Sequence, residues 1–405
     1  MLAGGDIPLP DKAIIHLKEY DVTSDSLVIK EGDTVHTGQK LHMSEDGDRY
    51  FISPVAGSVS GTSDYTGYYG RTVPTVSIDV AEEDQWDDEF ENAEKTDMVE
   101  TGRFYLKSLP GEPDFAALIN SPHKLDTIIV YGMDQDLLVT TNQVILKNKT
   151  EQLAEGIAFL NKILSPGNMM IVVPPNLLSI AEKTGIPARP VQPAYPNALP
   201  RMIMKNLLGR TVPEGTRCEE LGVGFINAEA VVALAEALSG GKMPVQKTLT
   251  VINRDYMPVH VRARVGTPVR QILGEMNIEV GHGDRLVFGG PMMGMTVYTE
   301  DMPILYDTDA IMIQDKARVV PSGDIPCVNC GECIRACPAD IPVNMLVRLL
   351  ENGLYEEAVS EYDLLSCIEC GLCSYVCIAR IPIFHHIMLG KYEFSRIQMA
   401  EESND

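Results

Sequence analysis

The chain has 405 residues, 45% of them hydrophobic and 22% charged, which is ordinary for a globular protein, and the length predicts about two to four domains. Its 57 acidic and 33 basic residues give a formal net charge of −24. This charge argues against nucleic-acid binding, which needs clustered Lys and Arg, and against docking on anionic lipid through a basic patch. Partner proteins with basic faces would be attracted, although solubility is the simpler explanation of the charge.

The N-terminal residues, MLAGGDIPLPDK, lack the charged start and apolar core of a signal peptide. No stretch approaches the roughly 18 apolar residues of a membrane span. We therefore expect a cytoplasmic protein in a reducing compartment, where clustered cysteines are more often metal ligands than disulfides. Any membrane association is expected to be peripheral and to run through partner subunits.

Residues 1–80 are predicted to form a barrel-sandwich domain of the biotinyl or lipoyl type. Short strands at residues 28–30 and 51–53 are separated by glycine and aspartate turns, and VIKEGDTVHTGQKL followed by SPVAGSV is typical of such domains. These domains can present a modified lysine on a hairpin tip, but the tip here, SEDGDR, contains no lysine. A structural or docking role is the better interpretation.

Residues 81–97 form a dense acidic run around Trp86, the only tryptophan of the chain. The run is predicted to be a solvated linker, because like charges at this density repel one another and favour water. Trp86 and Phe90 are expected to attach it to a neighbouring domain.

Residues 98–242 alternate between buried strands and helices, which predicts a Rossmann-like α/β domain with a parallel sheet. The strands are KLDTIIVYG and NMMIVVPPN, and the helices are TTNQVILKNKTEQLAEGIAFLNKIL, LLSIAEKTG and NAEAVVALAEALSGG. Such sheets bind nucleotides at the carboxyl ends of their strands, usually with a glycine-rich loop. The sequence before the first helix, YLKSLPGEPDFAAL, has one glycine and is poor material for holding a pyrophosphate.

Residues 243–316 are predicted to form a small α+β module that resembles the soluble-ligand-binding β-grasp. A helix is expected to start at Gly266-Thr267-Pro268, and the turn GGPMMG begins at Gly289. The methionines of that turn are interpreted as packing residues rather than metal ligands.

Residues 317–395 contain two runs with the spacing C-x-x-C-x-x-C-x-x-x-C, followed by a tail at 396–405. Three thiolates at this spacing can bind one 4Fe–4S cluster, while the fourth starts a helix that leads to the other cluster. We therefore assign one cluster to Cys327, Cys330, Cys333 and Cys377. The second is assigned to Cys367, Cys370, Cys373 and Cys337. The second run departs from the usual pattern, because Ile378 stands where proline follows the fourth cysteine of the first run.

Structural zinc is the alternative explanation of the eight cysteines. Zinc sites usually present separated C-x-x-C pairs, so the two four-cysteine runs favour iron–sulfur clusters. The intervening sequence has helical periodicity with a helix end at Gly353, which predicts a helical dicluster ferredoxin domain. The ninth cysteine, Cys218, is isolated and is interpreted as a buried structural thiol.

These segments, in this order, resemble the RnfC family of the Rnf ferredoxin–NAD oxidoreductase complex over nearly the whole chain. The resemblance rests on GGDIPLPDK, VIKEGDTVHTGQKL…SPVAGSV, KLDTIIVYGMDQDLLVTTN, GGPMMG and the cysteine runs with CIECGLCSYVC. It implies a multidomain α/β and α+β protein whose middle domain is similar to the flavin subunit of respiratory complex I. In the family that domain binds FMN and NADH and passes electrons to the two clusters.

The sequence departs from this family at the flavin and nicotinamide site. The family's loop G-x-G-G-A-G-F-P-T falls within residues 102–114, where this chain has GRFYLKSLPGEPD. The family's E-C-E-P corresponds to residues 134–137, where only the carboxylates of Asp134 and Asp136 remain. The later glycine pair is missing from YPNALP at residues 195–200.

The sequence is consistent with two functions, and with a third, weaker alternative. The first is an iron–sulfur subunit that relays single electrons between a partner flavin or iron–sulfur subunit and another redox partner, without an NADH site of its own. The second is an NADH-oxidising subunit that retains an atypical FMN site near Asp134 and Asp136, since a hydride must be split into single electrons before it reaches clusters. A scaffold with purely structural clusters is the third, against which the two intact runs argue.

Overall fold

The computed structural model describes residues 5–18, 22–44, 49–92, 108–113, 115–119, 125–323 and 325–402. The hairpin tip at residues 45–48 and most of the segment expected to correspond to the glycine-rich loop lie outside these ranges. Within them, no helix combines the length and the apolar character needed to cross a membrane.

An antiparallel sheet with strand order β1-β6-β5-β2 forms the N-terminal unit, residues 5–80. Its strands are β1 (Lys12–His16), β2 (Thr34–Val35), β5 (Gly57–Thr66) and β6 (Thr72–Val80), and a separate ribbon pairs β3 (Lys40–His42) with β4 (Tyr50–Ile52). Along β1, buried Ala13 and Ile15 alternate with more exposed neighbours, so one face of the sheet covers an apolar core.

The strand predicted at residues 28–30 is wrong. This segment belongs to no strand: Val28 lies in a bend, and its amide donates to the carbonyl oxygen of Met43 at 3.2 Å. The amide of Lys30 donates to the carboxylate of Asp33 at 2.8 Å, which closes the turn at Gly32. The strand predicted at residues 51–53 is present as β4, displaced by one residue.

The acidic segment is packed onto its neighbours over its described part, residues 81–92. A short helix, α1 (Glu89–Asn92), buries Phe90 to 3% exposure in the core of the parallel-sheet unit described next. Trp86 packs against the same core beneath the guanidinium of Arg264 and the ammonium of Lys242. The expected attachment by Trp86 and Phe90 is therefore present, and this part of the run is less solvated than its charge density predicted.

Four parallel strands in the order β10-β7-β8-β9 form the centre of the parallel-sheet unit, residues 108–242. The strands are β7 (Thr127–Tyr131), β8 (Asn168–Val173), β9 (Ala188–Pro190) and β10 (Val223–Asn227). Helices α2 (Phe115–Ile119), α3 (Thr141–Asn148), α4 (Thr150–Leu164), α5 (Leu178–Ala181), α6 (Pro200–Asn206) and α7 (Ala228–Gly240) accompany them. All five residues of β7 are buried, with alternate side chains in separate cores on the two faces, as a covered parallel sheet requires.

The long helix predicted at residues 140–164 is two helices. The chain breaks at Lys149, whose φ of −130° and ψ of 37° are not helical. The hydroxyl of Thr150 donates to the carbonyl oxygen of Leu146 at 2.6 Å and so contributes a side-chain bond at the break.

A mixed five-stranded sheet in the order β12-β11-β15-β13-β14 forms the next unit, residues 243–316. Its strands are β11 (Gln246–Ile252), β12 (Pro258–Arg264), β13 (Arg285–Phe288), β14 (Met295–Val297) and β15 (Ala310–Gln314). The predicted helix after Pro268 is α8 (Val269–Glu275), and it packs on one face of the sheet.

The regular secondary structure described in the cysteine unit, residues 317–402, is all helical. It contains α9 (Glu332–Arg335), α10 (Val343–Glu351), α11 (Tyr355–Ser360), α12 (Leu372–Tyr375) and α13 (Ile383–Glu402). Gly353, with φ 71°, separates α10 from α11 where a helix end was predicted. The helix after Cys337 starts only at Val343 instead of at the cysteine, and α13 continues through most of the predicted tail.

A buried ion pair joins the five-stranded unit to the parallel-sheet unit. Lys247 on β11 is fully buried and bonds to Glu229 of α7, and to Asp309 at 2.9 Å. Burial lowers the pKa of Lys247, but the two carboxylates raise it by more, so the ammonium stays charged. The amide of Thr248 donates to the carboxylate of the same Glu229 at 2.8 Å, and this bond fixes the start of β11 against α7.

Replacing Lys247 with Met should lower the free energy of unfolding by about 3–5 kcal/mol, because the buried Glu229 would lose its cationic partner and either keep an uncompensated charge or take up a proton. The matched control is Lys12→Met, which breaks an exposed pair with Asp79 and should cost less than about 1 kcal/mol. Urea unfolding followed by circular dichroism measures both. Equal midpoints for the two variants would contradict this role for the buried pair.

Candidate metal centre

The two cysteine runs fold into loops that repeat one another at an offset of 40 residues. In the first loop Asn329 and Gly331 have positive φ, and Glu369 and Gly371 take the same conformation in the second. Each loop leads into a one-turn helix, α9 or α12, that carries the third cysteine. The repeated backbone explains why the spacing of the cysteines is the same in both runs.

The structure groups the cysteines crosswise. One small cavity is lined by the three leading cysteines of the first run together with the last cysteine of the second: Cys327, Cys330, Cys333 and Cys377. In the other group, Cys373 interacts electrostatically with Cys367, Cys370 and Cys337. Cys218 lies far from both in sequence and is buried at 8% exposure in the core of the parallel-sheet unit, as predicted.

Four thiols around one cavity are the donor set of a 4Fe–4S cluster. A single zinc ion, with Zn–S distances of about 2.3 Å, would draw four sulfurs to within about 3.8 Å of one another. Among the described residues, no group of three or more His, Cys, Asp or Glu side chains is arranged to hold a single metal ion. The all-cysteine donor set around this cavity fits a 4Fe–4S cluster.

Other parts of the chain cover the second cysteine loop, whereas the first cysteine loop is exposed. Cys370 and Gly371 are buried, and the hydroxyl of Tyr195 donates to the carbonyl oxygen of Cys370 at 2.5 Å. Burial raises the pKa of Tyr195, so the hydroxyl stays protonated and able to donate. In the first loop, Val328 and Cys330 are exposed.

The cover over the second loop is the turn at residues 289–294, which Asp136 holds in place. The carboxylate of Asp136 accepts from the amide of Met293 at 2.8 Å and from the amide of Met292 at 3.1 Å. Gly371 then lies against the carbonyl oxygen of Met292, where a Cβ atom would come within 2.5 Å. Burial raises the pKa of Asp136, and these amide bonds oppose the rise.

Asp134 lies at the carboxyl end of β7 and occupies the N-terminus of α3. Its carboxylate accepts from the amide of Asn142 at 2.9 Å, from the side-chain amides of Asn142 and Gln143 at 3.1 and 3.2 Å, and from the amide of Gln143 at 3.4 Å. Burial raises the pKa of Asp134 to about 6, while the bonds from Asn142 and Gln143 lower it. The two aspartates predicted from the sequence therefore both accept hydrogen bonds from backbone amides. Both follow the end of the same strand, β7.

A cavity of about 670 Å³ opens beside these aspartates, between the N-terminal, parallel-sheet and five-stranded units. Tyr65, Tyr68 and Tyr69 from the sequence YTGYYGR line it on one side, and Tyr65 stacks on His16 with ring centroids 4.5 Å apart. Burial lowers the pKa of His16 to about 4, so its imidazole is neutral. These aromatic residues were not predicted from the sequence; three tyrosines between glycines were the available signal.

Two other sequence segments at this site have structural roles. The amide of Gly111, with φ 89°, donates to the carbonyl oxygen of Tyr306, and its carbonyl oxygen accepts from the side-chain amide of Asn227. The side-chain oxygen of Asn227 accepts from the amide of Ala230 at the start of α7. The segment YPNALP supplies Tyr195 and the start of α6.

Comparison with known proteins identifies relatives for most of the chain. A protein-family model described as "4Fe-4S dicluster domain" matches residues 321–378. The C subunit of the ion-translocating oxidoreductase complex of Pectobacterium carotovorum subsp. carotovorum is 26% identical over 355 residues, which are 83% of this chain and 48% of the relative. The corresponding protein of Klebsiella pneumoniae is also 26% identical, over 83% of this chain and 47% of the relative.

The chain is similar to RnfC-type subunits over most of its length, as a divergent sequence. It spans about half the length of the curated relatives that it matches. Among solved structures, a chain of an NAD+-reducing [NiFe]-hydrogenase in the H2-reduced state aligns with 67% of the RnfC-like chain and 58% of its own length, at 13% identity and a TM-score of 0.45. That similarity is too low to establish a common fold.

Gly371→Ala should disturb the contact between the second loop and the turn, because the added methyl group meets the carbonyl oxygen of Met292. Gly331→Ala is the matched control, since it carries the same positive-φ strain of about 1–2 kcal/mol but meets only the flexible guanidinium of Arg335, at 3.3 Å. Hydrogen exchange at residues 292–294 should accelerate in Gly371→Ala alone. Equal exchange in the two variants would show that the turn does not rest on the loop.

Proposed function

We propose that this chain is the iron–sulfur electron-transfer subunit of an RnfC-like oxidoreductase complex. It relays single electrons through two 4Fe–4S clusters between a partner flavin or iron–sulfur subunit and another redox partner. The observation that carries this proposal is the crosswise grouping of eight cysteines in two repeated loops. The proposed ligand sets are those named from the sequence: Cys327, Cys330, Cys333 and Cys377 for one cluster, and Cys367, Cys370, Cys373 and Cys337 for the other.

A 4Fe–4S cluster supplies one-electron chemistry when bound. The chain's own part in the relay is to hold two such sites close together, because each run contributes its last cysteine to the other site. Apolar residues from α10 and α13, including Leu346 and Ile387, pack around the thiols and exclude water from the region between them. Low polarity and backbone amides near the sulfurs are the features through which a protein adjusts cluster potentials.

The described units also correspond to proposed domains. We assign residues 1–80 to a barrel-sandwich hybrid and 98–242 to a Rossmann-like domain similar to the complex I flavin subunit. Residues 243–316 are assigned to a soluble-ligand-binding β-grasp and 317–395 to a helical dicluster ferredoxin domain. The sheet orders, the parallel pairing around β7 and the helical character of the cysteine unit support these assignments.

The positions of Asp134 and Asp136 support a relay without its own nicotinamide site. Phosphate groups of nucleotides bind to free backbone amides at helix N-termini and in tight turns. Here the amides at the start of α3 bind Asp134, those of Met292 and Met293 bind Asp136, and an amide at the start of α7 binds Asn227. A phosphate binding to the amides at the start of α3 or in the turn would have to displace an internal carboxylate and would be repelled by it.

The second candidate function is an NADH-oxidising FMN and iron–sulfur subunit. The observation in its favour is the cavity of about 670 Å³, which lies at the carboxyl end of β7 and is separated from the covered cysteine loop by the turn at residues 289–294. Its size falls in the range of known cofactor sites. Under this proposal Asp134 and Asp136 would lie beside the flavin, and NADH would supply the electrons.

Partners are proposed at the level of class. A ferredoxin-type or flavoprotein subunit would exchange electrons with this chain in the cytoplasm, and any membrane attachment would run through other subunits.

Anaerobic metal, flavin and absorbance analysis of the purified protein separates the two functions. The relay predicts about eight iron atoms per chain and no flavin released on denaturation, since each of two clusters holds four irons. Stoichiometric FMN that NADH bleaches would establish the second function instead. Zinc in place of iron would eliminate both.

Cysteine-to-serine variants test the crosswise ligand sets. Cys377→Ser and Cys330→Ser should lose the same cluster, so that both retain about half the iron and give the same remaining electron paramagnetic resonance signal. Cys337→Ser should retain the other signal, and Cys218→Ser should keep all of the iron. If Cys377→Ser instead matched Cys370→Ser, each run would bind its own cluster.

A further inference from the structure

We propose that the exposed cysteine loop, residues 327–331 together with Ile378, is the docking surface for a one-electron carrier protein whose own contact patch is apolar and ringed by basic residues. This inference rests on the proposed electron-transfer function and names the place and kind of the partner. It comes from the difference between the two repeated loops.

The exposed loop carries large apolar side chains at its surface. Val328 is 55% exposed, Ile378 is 66% exposed, and both line the cavity shared by Cys327 and Cys377. The positions that correspond to them at the 40-residue offset, Ile368 and Pro338, are partly buried. The unusual isoleucine after the last cysteine therefore places a flexible apolar group at the surface, beside a proposed ligand.

The covered loop is in contact with two other segments of this chain. Its Cys370 carbonyl oxygen accepts from Tyr195, and Gly371 lies against the Met292 backbone. In the exposed loop the equivalent carbonyl oxygen, that of Cys330, accepts a hydrogen bond at 3.1 Å from the guanidinium of Arg335, in the helix that follows the loop. The same backbone thus has a protein cover in one copy and an open apolar surface in the other.

Position and charge point to a carrier protein as the occupant. Electrons pass between proteins where a redox centre comes closest to the surface, and such encounter interfaces are small and transient. Glu332 and Arg335 pair at 2.5 Å beside the loop, so these two side chains together add no net charge there. The chain as a whole carries −24, so long-range attraction favours a carrier with a basic face, while Val328 and Ile378 provide the apolar contact.

Cytochrome c, a soluble carrier with a basic rim around its exposed haem edge, is the probe. The reduced, cluster-loaded full chain is mixed with it in an anaerobic stopped-flow instrument, and the second-order rate constant of its reduction is measured. In the double variant Val328→Ser/Ile378→Ser this constant should fall by about tenfold or more, because two central apolar contacts are lost. Raising the ionic strength should lower the wild-type constant.

The matched control is Leu354→Ser/Met399→Ser. These residues are 46% and 64% exposed on the same unit but lie outside both cysteine loops, and the wild-type rate constant is expected. Hexaammineruthenium(III), which needs no docking patch, should oxidise all three proteins at the same rate. Iron content and reduction potentials are measured on each protein, so that failure to bind clusters, which would refute the proposed function, is distinguished from failure to dock.

Three results would overturn the inference while clusters are intact. One is an equal rate constant for the two double variants with cytochrome c. Another is a faster reaction with an acidic ferredoxin than with cytochrome c, which would reverse the charge of the partner. The third is a concentration-dependent dimer in sedimentation that the Val328→Ser/Ile378→Ser variant abolishes, which would make the surface a contact between two copies of this chain.

Discussion

The contact of Asp136 with the amides of Met292 and Met293 is the constraint on which the site depends. It joins the end of a parallel strand to a turn of the five-stranded unit, and that turn in turn covers the second cysteine loop. Hydrogen bonds to a charged acceptor stabilise a fold by about 1.5–3 kcal/mol each. One partly buried carboxylate can therefore hold the strand end and the turn together, and through the turn the second cysteine loop. The buried pair of Lys247 with Glu229 fixes the same two units at a second point.

Internal carboxylates occupy amides that nucleotide-binding proteins leave open. Asp134 on α3 and Asp136 on the turn satisfy donors that a phosphate would otherwise bind, and they bring negative charge into the same space. The cavity beside them is lined largely by aromatic and apolar side chains instead. This arrangement is the physical basis for preferring a relay that receives electrons from a partner over a subunit that takes a hydride itself.

Two loops with the same backbone have different surroundings, so the two ends of the cysteine unit are not equivalent. The loop with Cys370 faces the interior cavity across one turn of chain, whereas the loop with Cys330 faces solvent. In the proposed relay both electron donor and acceptor are partner proteins, and the exposed loop is the one of the two loops that a partner can reach directly. The repeat supplies two equivalent sites, and the packing of the other units makes them inequivalent.

The sequence by itself determined the alternation of strands and helices around β7 and β8, the helix after Pro268, the helix end at Gly353 and the spacing of the cysteines, but not the strands β9 and β10. These are local properties, set by hydrophobic period, by proline and glycine, and by distances of a few residues along the chain. It failed at residues 28–30 and at Lys149, where one side-chain bond at a turn or a local backbone distortion outweighed the apolar pattern. Asp134 and Asp136 were recognised only through a family resemblance, and their amide partners were not foreseen. Only the tertiary structure decided which loop is covered, that Tyr195 reaches Cys370, and that Asp136 holds the turn. Tyr195 and Cys370 lie 175 residues apart in sequence, Asp136 and Met293 lie 157 apart, and they meet only when the units pack.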